Sequence, residues 1–447
     1  MTEHRLSKKA WIVAVSMGYG HERAAYGLSD LAHEDEVIIA NKYKGIPADD
    51  RQRWKKGRDM YETISRLQAT PIVGRYIFEV MDRLQQIELF YPRRDLSDTT
   101  LQLRYTYRDI VKHGVCRDLI QRLAKHPLPL IATFFVAAFA AEYYNYPGDI
   151  YCVICDADIS RTWAPLDPKR SRIKYFAPNG RVVERLKLYG VPEKNIFLTG
   201  FPLPRSLIGG PEASVLKQDL TRRLYNLDPH KIFLKRNEAT LHHFLGPHHV
   251  PKRPHHPLTL TFTVGGAGAQ RALGWEILAS LRERIARHEI RFNLVAGVRH
   301  DVARYFRDAV KELRLQKELG TWVNVVHTET RPAYFDTFTR LLHTTDILWT
   351  KPSELSFYTG LGMPIIMAPP LGSQEDFNEL WLKMIGGGIK QNDPRYTDEW
   401  LFDWVESGGL ARAAWSGYIE APTHGSYRIE EIISGRKYKL AKLPLIV

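Results

Sequence analysis

Cysteine is scarce in this chain: 447 residues contain three, Cys116, Cys152 and Cys155. So small and odd a number argues against a disulfide-stapled scaffold and fits a reducing compartment. Long apolar runs are missing as well. The most apolar stretch, L-I-A-T-F-F-V-A-A-F-A-A at 130–141, falls short of the roughly 20 residues that a membrane-spanning helix needs. It reads instead as a buried strand running into a buried helix. The opening M-T-E-H-R-L-S-K-K-A lacks the apolar core and small-residue cleavage site of a leader peptide. These absences lead to the expectation of a cytoplasmic protein, soluble or peripheral at the inner face of a membrane. No short internal repeat is visible.

Positive charge is abundant. Lysine and arginine number 63 against 50 acidic residues, for a net charge of +13 and a pI near 9.4. Such an excess attracts nucleic acid, an anionic membrane surface or phosphorylated substrates. No nucleic-acid motif accompanies the charge, so nucleic acid is not the expected partner. Residues 42–58 carry seven basic and two acidic side chains, with Tyr43 and Trp54 between them. That run suits an anionic membrane surface and equally an exposed helix face.

The length fits two domains of ordinary size. Residues 10–16 (A-W-I-V-A-V-S) form a short apolar run, followed by a glycine turn and a helical pattern over 21–31. An apolar strand, a glycine turn and a helix open a doubly wound α/β domain, whose strands are buried on both faces and read as runs. Further strands are expected at 37–40, 130–135, 149–155, 173–176 and 195–199, with 42–125 largely helical. G-F-P-L-P at 200–204 is a proline-rich exit that marks a boundary. The same opening recurs at 258–288: L-T-L-T-F-T-V, then G-G-A-G-A-Q, then a helix. Strands follow at 291–296, 323–326, 347–349 and 364–368. The expected division is an N-terminal domain 1–204, a linker or histidine-rich insertion 205–257, a C-terminal domain 258–425 and a tail or crossover helix 426–447.

Three segments carry chemistry. In G-Y-G-H, Gly18 and Gly20 let the backbone turn tightly, and His21 falls where α/β folds bind ligands. There it would act as a general base. In G-G-A-G-A-Q (265–270), small residues expose N–H groups at a helix N-terminus, an anion site suited to a diphosphate. Its spacing is not that of the dinucleotide fingerprint. The third segment, 345–378, delivers Lys351, Ser353, Glu354, Ser356, Gln374, Glu375 and Asn378. Carboxylate and amides together suit a polyol. Ser373 and Asp376 also read as the N-cap and third position of a capped helix.

Other patterns point elsewhere. Cys152-V-I-Cys155 has redox spacing, but it lies in an apolar strand and not at a helix N-terminus, so both cysteines read as structural. His230, His242, His243, His248, His249, His255 and His256 crowd 211–257. With prolines and no cysteine among them they read as a solvated loop more than a zinc site.

The motifs, taken in order, resemble the glycosyltransferase-B superfamily. Within it the likeness is to monogalactosyldiacylglycerol synthases, processive diacylglycerol glucosyltransferases and the N-acetylglucosaminyltransferase of peptidoglycan synthesis. G-Y-G-H-E-R-A-A, V-I-C-D-A-D-I-S-R-T-W (153–163), the G-G-A-G-A turn, and T-K-P-S-E-L-S through G-S-Q-E-D-F-N carry the resemblance. It implies two facing Rossmann-like domains with an inter-domain cleft. His21 would be the catalytic histidine and Asp156 the aspartate after the central N-domain strand. Gly265, Gly266 and Gly268 would line the donor diphosphate. Gln374, Glu375 and Asn378 would hold the donor sugar, with Lys351 and Glu354 also on the donor side. Two positions depart from the family: Arg161 stands near its histidine, and Thr359 about where it has a ribose-binding glutamate, leaving Glu354 as the nearest acid.

The expectation is therefore an inverting glycosyltransferase, with a nucleoside diphosphate sugar, UDP-linked by resemblance, as co-substrate. It needs no cofactor and no metal, and its acceptor would be a lipid or lipid-linked hydroxyl at a membrane face. A nucleotide-sugar epimerase or hydrolase on the same scaffold, and a catalytically lapsed sugar-nucleotide or anion-binding protein, remain as alternatives.

Overall fold

The computed structural model describes residues 9–67, 87–246, 249, 251, 253–265, 268, 270–370 and 372–440. Among them twelve strands form two six-stranded sheets. The first sheet contains β1 (Ala10–Ala14), β2 (Ala32–Ile39), β3 (Leu130–Ala132), β4 (Ile150–Val153), β5 (Lys174–Ala177) and β6 (Ile196–Leu198), in the order β2-β1-β3-β4-β5-β6. The second contains β7 (Thr259–Thr263), β8 (Arg291–Gly297), β9 (Val323–His327), β10 (Ile347–Thr350), β11 (Ile365–Met367) and β12 (Gly388–Lys390), in the order β12-β11-β10-β7-β8-β9. Every pairing is parallel. Counted within its own sheet, the second order is that of the dinucleotide-binding fold, and the first extends the flavodoxin-like order. Both are Rossmann-like α/β units, the fold class expected from the sequence.

The strands read as apolar runs because helices cover both faces of each sheet. The first core joins Val13, Leu130, Ile150 and Tyr175 to Phe139, Val182 and Leu186 on the helices Phe135–Tyr143 and Gly180–Leu188. In the second, the helix His300–Glu312 buries Val302, Ala303, Phe306, Ala309 and Val310. This spacing puts one apolar face on the sheet, against Phe262, Phe292 and Leu294.

The chain divides into two compact units, one of Met1–Pro204, Leu371–Asn378 and His424–Val447, the other of Arg205–Pro370 and Glu379–Thr423. Residues 205–257, read from the sequence as a linker or insertion, are largely helical and belong to the second unit. Leu220, Leu224, Leu227, Phe233, Leu241 and Leu245 join its core. Arg223 is buried there and donates to the carbonyls of Thr345, Leu342, Leu361 and Gly362. The histidines obscured this pattern because His230, His242, His243 and His255 lie on the exposed side. The helix Gly425–Ser434 counts with the first unit, where the Ser426 hydroxyl lies within hydrogen-bond distance of both Gly27 O (2.8 Å) and Leu203 O (2.6 Å). Of the expected helical stretch 42–125, residues 68–86 lie outside the described residues; the rest includes the helices Ala48–Leu67, Leu101–His113 and Arg117–Leu123.

Candidate functional site

In each sheet the order reverses beside the opening strand, and ligands of α/β folds bind at the carboxyl ends of the strands there. In the first unit the reversal falls between β1 and β3. The chain leaves β1 through Gly18, whose φ of +98° suits glycine alone, and enters the helix Gly20–Tyr26, which carries His21. Thr133, just past β3, donates its hydroxyl to the His21 carbonyl at 2.8 Å. The His21 ring stands 4.8 Å from the Phe134 ring and 6.0 Å from Trp163.

Asp156 follows β4 on the same sheet end. Asn378 Nδ2 donates to its Oδ1 at 3.1 Å, and Asn378 Oδ1 accepts from Ala157 N at 2.7 Å. Asn179 donates to Ala157 O at 3.0 Å and caps the helix Gly180–Leu188 through Val182 N. Asn378 was expected on a donor sugar. It is fully buried, and its amide holds the Asp156–Ala157 turn. Gln374 and Glu375 lie on the first turn of the helix Ser373–Met384 and are partly exposed. Ser373 opens this helix and does not precede it; Glu375 N and Asp376 N donate to Gly372 O.

In the second unit the reversal falls between β7 and β10. Gly265 follows β7 and Lys351 follows β10. A methyl group on Gly265 would lie 2.7 Å from Lys351 Cε, so only glycine lets the lysine lie along the turn. Gly268, at φ +71°, faces Val302 and the Arg299 guanidinium. Gly268 N closes the turn on Gly265 O at 2.8 Å. The helix Arg271–Ser280 starts here; Leu273 N donates to Gln270 O at 3.1 Å, while the N–H groups of Arg271 and Ala272 precede the first intrahelical acceptor. Gly266 lies outside the described residues. Glu354 is buried at the start of the 3₁₀ turn Glu354–Leu361.

Sequence reasoning missed Arg299 and Arg271. Arg299 makes two hydrogen bonds to Asp301, at 3.0 and 3.2 Å, and Arg271 stands 3.7 Å from the same carboxylate. The Arg299 hydrogen bond leads the causes that hold the Asp301 carboxyl below its ordinary range, so it is ionised at neutral pH. Asp301 thus holds two guanidinium groups at this sheet end. The signal was the V-R-H segment that follows Gly297 at the end of β8.

Both departures from the family pattern have structural explanations. Arg161 is buried, and its guanidinium donates to the carbonyls of Ser97, Ala164 and Pro165. It ties loops together. Thr359 is also buried, and its hydroxyl donates to Gly387 O at 3.2 Å. A Cβ on Gly417 would approach the Thr359 hydroxyl to 2.1 Å, so this position packs against a neighbouring helix and has no space for an acid.

The cysteines are free and buried. Cys152 lies within β4 and Cys155 two residues beyond it, and burial pushes the Cys152 thiol up. Among the described residues no group of three or more His, Cys, Asp or Glu side chains is placed to hold a metal ion. Nor is any described helix long and apolar enough to cross a membrane. In the run 42–58, Lys42, Lys44, Arg51, Lys55 and Lys56 are exposed, while Trp54 is buried and Tyr43 donates its hydroxyl to Asp118. Those five cations face water, Arg53 is half-buried 3.8 Å from Asp109, and the two aromatics turn inward.

No family model matches the sequence, and no curated protein matches it. Solved structures similar to this chain include MurG from Acinetobacter baumannii, at 10% identity and a TM-score of 0.46, covering 96% of this chain and 100% of that one. The UDP-GlcNAc 2-epimerase from Neisseria meningitidis bound to UDP-GlcNAc is similar at 13% identity and TM-score 0.44, covering 81% and 90%. HepE of Anabaena in complex with UDP-glucose is similar at 12% and 0.41, covering 71% and 80%.

Proposed function

We propose that this chain is a UDP-sugar-dependent enzyme, and specifically an inverting glycosyltransferase. The approach of Lys351 to Gly265 carries the reading. It sets a cation against a glycine turn that opens a helix, with Arg299 and Arg271 close by, and that is a cradle for a diphosphate. In the reaction the acceptor oxygen forms a bond to the anomeric carbon as the bond from that carbon to the diphosphate breaks. His21 takes the acceptor proton. Lys351 and the N–H groups of Arg271 and Ala272 at the helix start stabilise the charge that develops on the departing UDP. Gln374 and Glu375, one amide and one carboxylate, suit the hydroxyls of the donor sugar.

A lipid or lipid-linked acceptor accords with the outer face of the helix Leu101–His113. There Leu101, Arg104, Tyr105, Arg108, Val111 and Lys112 are all exposed, a mixed apolar and cationic stripe suited to an anionic bilayer surface. The test is incubation of the full chain with radiolabelled UDP-glucose, UDP-galactose or UDP-N-acetylglucosamine, with and without a detergent extract of membrane lipids. Label entering an organic-soluble product only when extract is present supports the transferase. Release of free sugar or conversion to another UDP-sugar without extract points to the hydrolase or epimerase. UDP-sugar binding without turnover identifies a lapsed enzyme.

A further inference from the structure

We infer that Asp301 is a positioning residue of the second unit: it fixes the Arg299 guanidinium against the Gly268 turn, and through that arginine it sets the affinity for a nucleoside diphosphate. This deepens the UDP-sugar reading and rests on it.

The helix His300–Glu312 carries Asp301 on its first turn. The two carboxylate oxygens accept separately from Arg299, Oδ1 from Nε at 3.0 Å and Oδ2 from Nη2 at 3.2 Å. A forked pair fixes the orientation of a guanidinium as well as its position. The guanidinium so held lies against the glycine turn: a Cβ on Gly268 would stand 3.5 Å from both Arg299 Cζ and Arg299 Nη2. Arg271, at the start of the helix that follows the turn, brings a second guanidinium to 3.7 Å from Oδ2 and lies 5.1 Å from the Tyr305 ring centroid. The carboxylate is itself anchored. After Arg299, the backbone N–H groups of Asp301 and Val302 also favour its ionised form.

Folding stability does not account for this arrangement. The Asp301, Arg299 and Arg271 side chains are 53%, 34% and 49% exposed, and ion pairs in contact with water contribute little to folding. What the carboxylate does is restrict a long cationic side chain that would otherwise sample many rotamers. An anion that meets a guanidinium already in place binds without the entropy cost of ordering it. Charge alone argues the other way, because a carboxylate beside an anion site repels the anion. The two effects differ in sign. Removal of the carboxylate tightens diphosphate binding if repulsion dominates and weakens it if Asp301 positions Arg299.

Calorimetric titration of the full chain with UDP decides between them, for wild type, Asp301→Asn, Asp301→Glu, Arg299→Ala and the Asp301→Asn/Arg299→Ala double variant. Asp301→Asn, which keeps the volume and removes the charge, should weaken UDP binding about five-fold or more with little change in melting temperature. Asp301→Glu, which keeps the carboxylate, should recover part of that loss. In the Arg299→Ala background Asp301→Asn should cost nothing further, because Asp301 acts through the arginine. Should Asp301→Asn not fold, Arg299→Lys, which keeps the charge and loses the fork, takes its place with the same expected loss. UDP affinity at or above wild type in folded Asp301→Asn or Arg299→Lys, no recovery in Asp301→Glu, or an equal loss in both backgrounds would each overturn the inference. Wild type that binds UDP alongside any of these results removes the inference alone. Folded wild type that binds no UDP removes the UDP-sugar reading and the inference with it.

Discussion

Lys351 and Gly265 occupy the two sides of the strand-order reversal in the second sheet, so close that any side chain at 265 would meet the lysine, at 2.7 Å from Cε. Gly265→Ala therefore displaces the lysine's flexible end without disturbing the core. The expected outcome is a loss of UDP affinity of about ten-fold, equivalent to about 1.4 kcal/mol, with little change in melting temperature. Calorimetry and thermal unfolding together check it.

Asn378 separates a ligand role from a scaffolding role. Its buried amide binds both Asp156 and Ala157 N, so Asn378→Ala leaves those groups without a partner. A stability loss of about 1–3 kcal/mol is expected, measured by denaturant unfolding. A residue that only contacted a donor sugar would lose affinity and keep its stability.

Thr359 gives the opposite kind of test. Were the nucleotide ribose bound by an acid at this position, Thr359→Glu would strengthen UDP binding. The packing against Gly387 and Gly417 predicts instead that the variant is destabilised by more than about 3 kcal/mol, visible as a lowered unfolding midpoint.

Asp346 makes stability depend on pH. It is fully buried, accepts from Asn226 Nδ2 and Thr259 N at 2.9 Å each, and burial pushes its carboxyl up to about 7. Unfolded, it loses its proton near pH 4. Between about pH 4 and 7 the folded state holds the extra proton, so this residue's contribution to stability falls as pH rises through that window. Asp346→Asn should match wild type near pH 4 and exceed it by roughly 4 kcal/mol at pH 8. Denaturant unfolding of both proteins across this range checks the sign. His256 stands 3.6 Å away and loses its pairing with the carboxylate in the Asn variant, so the same comparison in a His256→Gln background separates its contribution.

Much of the fold was legible because strands buried on both faces leave continuous apolar runs. The 10–16 and 258–264 runs lie on β1 and β7, and the glycine turns follow directly. β12 was invisible: Gly388–Lys390 is three residues long and partly exposed, with no apolar run to show. Residues 205–257 misled for a different reason. Their histidines dominate the composition, while the leucines that join the core are spaced along several short helices. Local sequence placed His21, Gly265 and Lys351 just past strand ends, because strand ends and glycine turns are local features. It could not reveal that Asn378 is used up on Asp156 and Ala157, or that Arg299 faces Gly268. Those pairings join residues far apart in sequence and exist only once the sheet has formed.

The central claim is that the Gly265 turn and Lys351 hold a diphosphate, and titration of wild type and Lys351→Ala with UDP and UMP tests it most directly. Wild type should bind UDP at least ten-fold more tightly than UMP, and Lys351→Ala should lose that advantage while still folding. Equal affinity for UDP and UMP in wild type, or no binding of either by folded protein, would contradict it.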